Sequence, residues 1–183
     1  MNKKQQDADD PDNEVIVVTK ESAAKSQLET AISLWFDYGD PVSIHALTVA
    51  ANECLHAIGK PMGKPSAVQD WIKLQPKKVQ KEMTAAQNFF KHGHRDRDQA
   101  FRYQPMHGEV LISDSVMTYQ DLFGEVTPLM RAFALRFVVT NAGAFLRVFL
   151  NEGIDEEEVE KLAKLSRPEF LTEVRHLFTE AER

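Results

Sequence analysis

The stretch Ala31-Ile32-Ser33-Leu34-Trp35-Phe36-Asp37-Tyr38-Gly39-Asp40-Pro41-Val42-Ser43-Ile44-His45-Ala46-Leu47 decides the fold. On its N-terminal side Leu28, Ala31, Ile32, Trp35 and Tyr38 recur at three- and four-residue spacing, so they share one face of a helix over about residues 21–38. Gly39 is the expected left-handed stop. Asp40-Pro41 then supplies an N-cap and a proline at the first helical position. A second helix over about residues 41–58 has an apolar arc of Ile44, Leu47, Ala51, Cys54, Leu55 and Ile58. His45, Asn52, Glu53 and His56 fall on its opposite face, and Ala46, Ala50 and Ala57 leave room for a neighbouring helix to approach.

The same punctuation recurs outward from this hairpin. Gly59-Lys60-Pro61-Met62-Gly63-Lys64-Pro65 reads as a loop. Ser66 caps a short helix holding Trp71, and Pro76 opens another that runs to about His92. In that helix Val79, Met83, Ala86, Phe89 and Phe90 form the expected buried stripe. Lys77, Lys81, Asn88 and His92 lie on the far side, with Lys78 flanking. Residues 94–108 read as irregular, with Phe101, Tyr103 and Met106 tucking back onto the body. A helix over about 109–123 follows, ended by Gly124, and Thr127-Pro128 begins one expected to reach residue 151. That helix is apolar around most of its circumference except at Arg136, Thr140, Gly143 and Arg147. Asp114, Asp121, Glu125 or a second subunit are the natural partners of its arginines. Two further helices complete the chain, an acidic one over about 155–165 and a last one that starts near Ser166 or Pro168 and buries Phe170, Leu171, Val174, Leu177 and Phe178. The reading is all-α: a helical bundle of about six to eight helices in one domain spanning residues 14–183.

The ends and the bulk composition bound the function classes. Residues 1–13, with Asp7, Asp9, Asp10 and Asp12, read as a disordered acidic tail. Glu14-Val15-Ile16-Val17-Val18-Thr19 reads as a short extended segment that would be sticky if left exposed, so the body or a second subunit is expected to cover it. Lone Cys54 excludes an internal disulfide framework, and the polar start lacks the apolar segment of a signal peptide. Phe133–Leu150 is interrupted by Arg136, Asn141 and Arg147, so no membrane span is expected. Cytoplasmic location is the expectation. The net charge of −6 argues against a nucleic-acid-coating protein, yet its distribution is uneven. Residues 60–102 hold ten Lys/Arg against four acids, a local charge of +6, which leaves −12 for the remainder.

That basic segment closes on Asn88-Phe89-Phe90-Lys91-His92-Gly93-His94-Arg95-Asp96-Arg97-Asp98. Asn88 and His92 are helical neighbours, and Lys81 lies one heptad before Asn88 on the same face. A histidine there can move a proton, and the surrounding cations Lys77, Lys81, Lys91, His94, Arg95 and Arg97 suit phosphate. The plain alternative is that His92 complements the helix dipole and the loop is solvated. Glu53-Cys54-Leu55-His56 and Glu173-Val174-Arg175-His176 share the Glu-x-x-His spacing of di-iron bundles. Such a centre needs glutamates from two further helices; the apolar helix offers none, and His176 points away from its own helix's apolar stripe. No metal and no cofactor are expected.

The hairpin segments Ala31-Ile32-Ser33-Leu34-Trp35 and Pro41-Val42-Ser43-Ile44-His45-Ala46-Leu47, with the later Asn88-x-x-x-His92, resemble HEPN-type bacterial proteins over roughly residues 21–98. The resemblance implies a small α-helical bundle, a homodimer, and ribonuclease or RNA-binding activity. It casts His92 and Asn88 as the catalytic pair. This chain has Gln87 where that family's motif has an arginine ahead of the histidine, and Arg102-x4-His107 contains Pro105 within an irregular segment. Two other functions stand beside RNA or nucleotide binding: a non-catalytic homodimeric interaction protein and a metal-dependent bundle enzyme.

Overall fold

The computed structural model describes residues 15–92, 98–141 and 156–179, the side chains of residue 156 and of residues 176–179 excepted. The protein is all-α. Nine α-helices lie among the described residues: α1 (Lys20–Phe36), α2 (Pro41–Gly59), α3 (Ala67–Leu74), α4 (Lys77–Met83), α5 (Ala85–Lys91), α6 (Met106–Phe123), α7 (Pro128–Thr140), α8 (Glu156–Lys164) and α9 (Arg167–Thr179). The expected acidic tail, and the continuation of α7 through Arg147, lie outside the described residues.

Local chemistry sets the helix starts. Thr19 and Ser22 form a reciprocal capping box at α1, with Thr19 Oγ1 accepting from Ser22 N–H at 3.0 Å. The Asp40 carboxylate accepts the Ser43 N–H at 2.7 Å and its hydroxyl at 2.6 Å, which holds that carboxyl below its ordinary range. Ser66 caps α3 and Thr127 caps α7, as the sequence predicts. The stop after α1 differs from expectation: Tyr38, not Gly39, is left-handed, with φ 54°. Gly39 matters because a Cβ there would stand 3.1 Å from the Leu34 carbonyl oxygen, which accepts the Gly39 N–H at 2.7 Å.

The core lies where α1 meets α2, α6, α7 and α9. Leu28, Ile32 and Phe36 of α1 are fully buried with Leu55, Ile112, Met130, Phe133 and Phe170. α2 is the second organising element, packed on α1 through its apolar arc and on α6 through its other face. A part-buried cluster ties α1, α6 and α9 together. Arg167 pairs with Glu109 at 2.7 Å, lies 4.0 Å over the Trp35 ring, and donates to the Trp35 carbonyl at 3.2 Å; Trp35 Nε1 donates to Glu109 at 3.0 Å.

Four expectations need correction. The Pro76–His92 helix bends at Thr84, dividing into α4 and α5; the Thr84 hydroxyl donates to the Gln80 carbonyl, a side-chain bond that favours such a bend. Of its predicted stripe only Ala86 is buried, and Met83 is exposed, because α4 packs only along one edge. Met106 is exposed at the start of α6, although Phe101 and Tyr103 do fold back, against Phe89 and Phe90. Arg136 contacts no carboxylate among the described residues. It donates to the carbonyls of Leu162 and Leu165, each at 2.7 Å, and stacks 5.0 Å from Phe170. Those carbonyls lie at the C-terminal end of α8, where a guanidinium complements the helix dipole.

Candidate functional site

Two adjoining features can carry function: the outer face of α4 and α5, and a cleft beneath it against α2. Lys77, Lys78 and Lys81 are exposed on α4, and none makes an ion pair among the described residues. Lys77 Nζ reaches only Gln80 Oε1, at 3.4 Å. On the preceding helix Trp71 is 49% exposed and Leu74 is 83% exposed, so this limb presents apolar surface beside its cations. Lys73 differs from the α4 lysines: it lies 3.5 Å from Asp70 and 2.7 Å from His56 Nε2. Partial burial, then the Lys73 charge, holds the His56 imidazole below its ordinary value, so it is the acceptor in that contact.

The predicted site residues divide into four groups. Lys77 and Lys81 stand free on α4. Lys91 pairs with Glu53 of α2 at 3.6 Å, and Gln87 donates to the same carboxylate, so the Lys91 charge is matched. Asn88 is exposed and donates to Thr84 Oγ1 at 3.3 Å on its own helix; half-buried His92 is the C-cap of α5, its backbone N–H donating to the Asn88 carbonyl at 3.2 Å. His94, Arg95 and Arg97 lie outside the described residues. Gln87 lines the cleft.

The cleft is what periodicity alone misplaced. His45 and Asn52, read onto the polar face of α2, are both buried. α6 docks on that face and matches it with polar groups. Asn52 Nδ2 donates to Asp114 Oδ2 at 2.7 Å and to Ser115 Oγ at 3.0 Å. Asp114 also accepts from the Ser66 hydroxyl at 2.6 Å and from Val68 N–H at 3.1 Å. Asp114, predicted to serve an arginine of α7, instead fixes α2, α3 and α6 together. His45 has no such partner. It is 6% exposed, its Nδ1 and Nε2 are both without hydrogen bonds, and its ring meets Phe90 and Tyr103 edge-on at 5.6 and 5.2 Å. Burial, then the neighbouring His107, holds its imidazole below the ordinary value, so it is neutral at pH 7. Burial also pushes the Tyr103 hydroxyl up to about 12, so it stays protonated.

Two cavities meet at His45. One, of about 150 Å³, lies between α2 and α5 and is lined by Ala46, Val49, Ala50, Phe90 and the Glu53–Lys91 pair. The other, of about 170 Å³, reaches toward α3 and α6, past Ile72, His107 and Leu111. Ala46 and Ala50, expected to leave room for a neighbouring helix, line the cavity between α2 and α5. Among the described residues no three His, Cys, Asp or Glu side chains gather as metal ligands, and no helix is long and apolar enough to cross a membrane. In comparisons with known proteins, the chain matches no family model, no curated protein and no solved structure.

Proposed function

We propose that the protein binds single-stranded RNA, or the phosphate of a nucleotide, through the outer face of α4 and α5. The observation that carries this reading is the cluster Lys77, Lys78 and Lys81, exposed and without carboxylate partners among the described residues, on one short helix of a chain with net charge −6. Unpaired cations in an acidic protein are available to phosphates, and exposed Trp71 supplies a ring on which a base can stack. Asn88 and His92, with Lys91 nearby, extend that face, and His94, Arg95 and Arg97 follow directly in sequence. With Gln87 in place of an arginine, and engaged by Glu53, the reading is binding; Asn88 and His92 contact phosphate. Fluorescence anisotropy with a labelled single-stranded RNA at about 50 mM salt tests it. Saturable binding that weakens in Lys81→Gln is expected, and no binding at low salt rejects the reading.

A second reading, self-association into a homodimer, is favoured by a different observation. Val15, Ile16 and Val17 are 90%, 74% and 92% exposed, forming an uncovered apolar run. Sedimentation velocity should show a dimer that Ile16→Asp with Val17→Asp dissociates; a monomer at all concentrations excludes it.

A further inference from the structure

We propose that the cleft between α2 and α5 binds a neutral, single-ring aromatic molecule bearing one hydroxyl or amide, held by His45. Four observations converge on this ligand class. The cavity of about 150 Å³ is of the size that admits one six-membered ring. Its walls are apolar, formed by Ala46, Val49, Ala50 and the face of α5 carrying Phe90. His45 is more than nine-tenths buried, and both its ring nitrogens lack partners. A neutral imidazole offers one donor and one acceptor, which a phenolic hydroxyl or a primary amide can meet. The mouth carries Glu53 and Lys91, but these pair with each other at 3.6 Å, so no uncompensated charge selects for an ion.

The second cavity sharpens the expectation. It shares His45, Val49 and Gln87 with the first, so a substituent leaving the ring past His45 would run toward Ile72 and Leu111. The site is independent of the lysine face of α4, whose cations do not line it. Phosphate recognition and ring recognition are therefore separable.

The test titrates phenol, benzamide and toluene into the folded chain while the imidazole nitrogens of His45 are followed by long-range proton–nitrogen NMR. Phenol and benzamide should shift the His45 resonances saturably, and toluene should bind at least about tenfold more weakly, because it leaves the imidazole unmet. Ala50→Leu, which fills the cavity and keeps His45, should abolish the phenol-dependent shift while its helical circular dichroism and thermal transition are retained. His45→Phe should remove the preference for phenol over toluene, read by calorimetry. The proposal is overturned if neither polar probe shifts His45 up to its solubility, a result that leaves only water as the partner of that ring. Equal binding of toluene and phenol, or phenol binding undiminished in a folded Ala50→Leu variant, overturns it equally.

Discussion

At the scale of single residues, two of the buried polar side chains of α2 have opposite circumstances. Asn52 is fully matched by Asp114 and Ser115, whereas His45 is unmatched. Asp114 gathers three donors, from Asn52, Ser66 and Val68, so Asp114→Ala leaves the Val68 N–H without its acceptor, Asn52 with Ser115 alone and the Ser66 hydroxyl with only Asn52 Oδ1, at 3.3 Å. Chemical denaturation should show a loss of about 1–3 kcal/mol, the cost of one orphaned buried donor. Asp114→Asn, which keeps acceptor capacity, should lose less. His45 makes a pH prediction. Its folded-state proton affinity lies below the ordinary value of 6.5, so the unfolded chain takes up a proton that the folded chain refuses. Stability is then full above about pH 6.5 and falls as pH drops below it, with His56 adding a share of the same sign. His45→Phe should flatten the stability profile between about pH 6.5 and 5; an unchanged slope would contradict a buried, neutral His45. Nothing in the pattern of α2 separates these two residues from solvent-facing ones. Polar side chains matched across a helix interface have the same spacing as polar side chains in water, and only the partner helix tells them apart.

Elements were legible wherever their ends carry chemistry. Asp40-Pro41, Ser66 and Thr127-Pro128 each mark a helix start, because an N-cap oxygen and a preset proline φ act within four residues. The bend at Thr84 was not legible: the Gln80–Asn88 sequence continues a helical pattern, and the hydroxyl-to-carbonyl bond that bends it is a choice of rotamer. The partner of Arg136 was likewise hidden, since the closing carbonyls of α8 are twenty-six or more residues away and carry no side-chain signature. This assignment has a consequence for α8. Arg136→Met keeps much of the apolar stem but removes two charge-assisted bonds, so a loss of about 1.5–3 kcal/mol is expected. Amide hydrogen exchange should quicken in the last turn of α8 before the rest of the bundle. Uniform exchange across all helices in that variant would mean the guanidinium does not cap α8.

Across the whole molecule, charge is segregated along the chain. The segment 60–102 carries +6 within a chain of −6, and in the fold its lysines on α4 are exposed and make no ion pair among the described residues. Three of its other cations make contacts within the fold: Lys64 donates to the Asp121 carbonyl, Lys73 serves Asp70 and His56, and Lys91 serves Glu53. The sequence shows the segregation but not this division of labour, which depends on which carboxylates the fold brings near. Three free lysines set the strength of the expected electrostatic contribution. For a single strand, each neutralised phosphate contributes about −0.7 to the slope of log affinity against log salt, so the α4 lysines account for about −2. The most direct test is that slope for a single-stranded RNA, measured for the native chain and for the folded variant carrying Lys77→Gln, Lys78→Gln and Lys81→Gln. Binding by this face predicts a steep slope that becomes shallower by about 2 in the variant; an affinity indifferent to salt, or a slope the three substitutions leave unchanged, would contradict it.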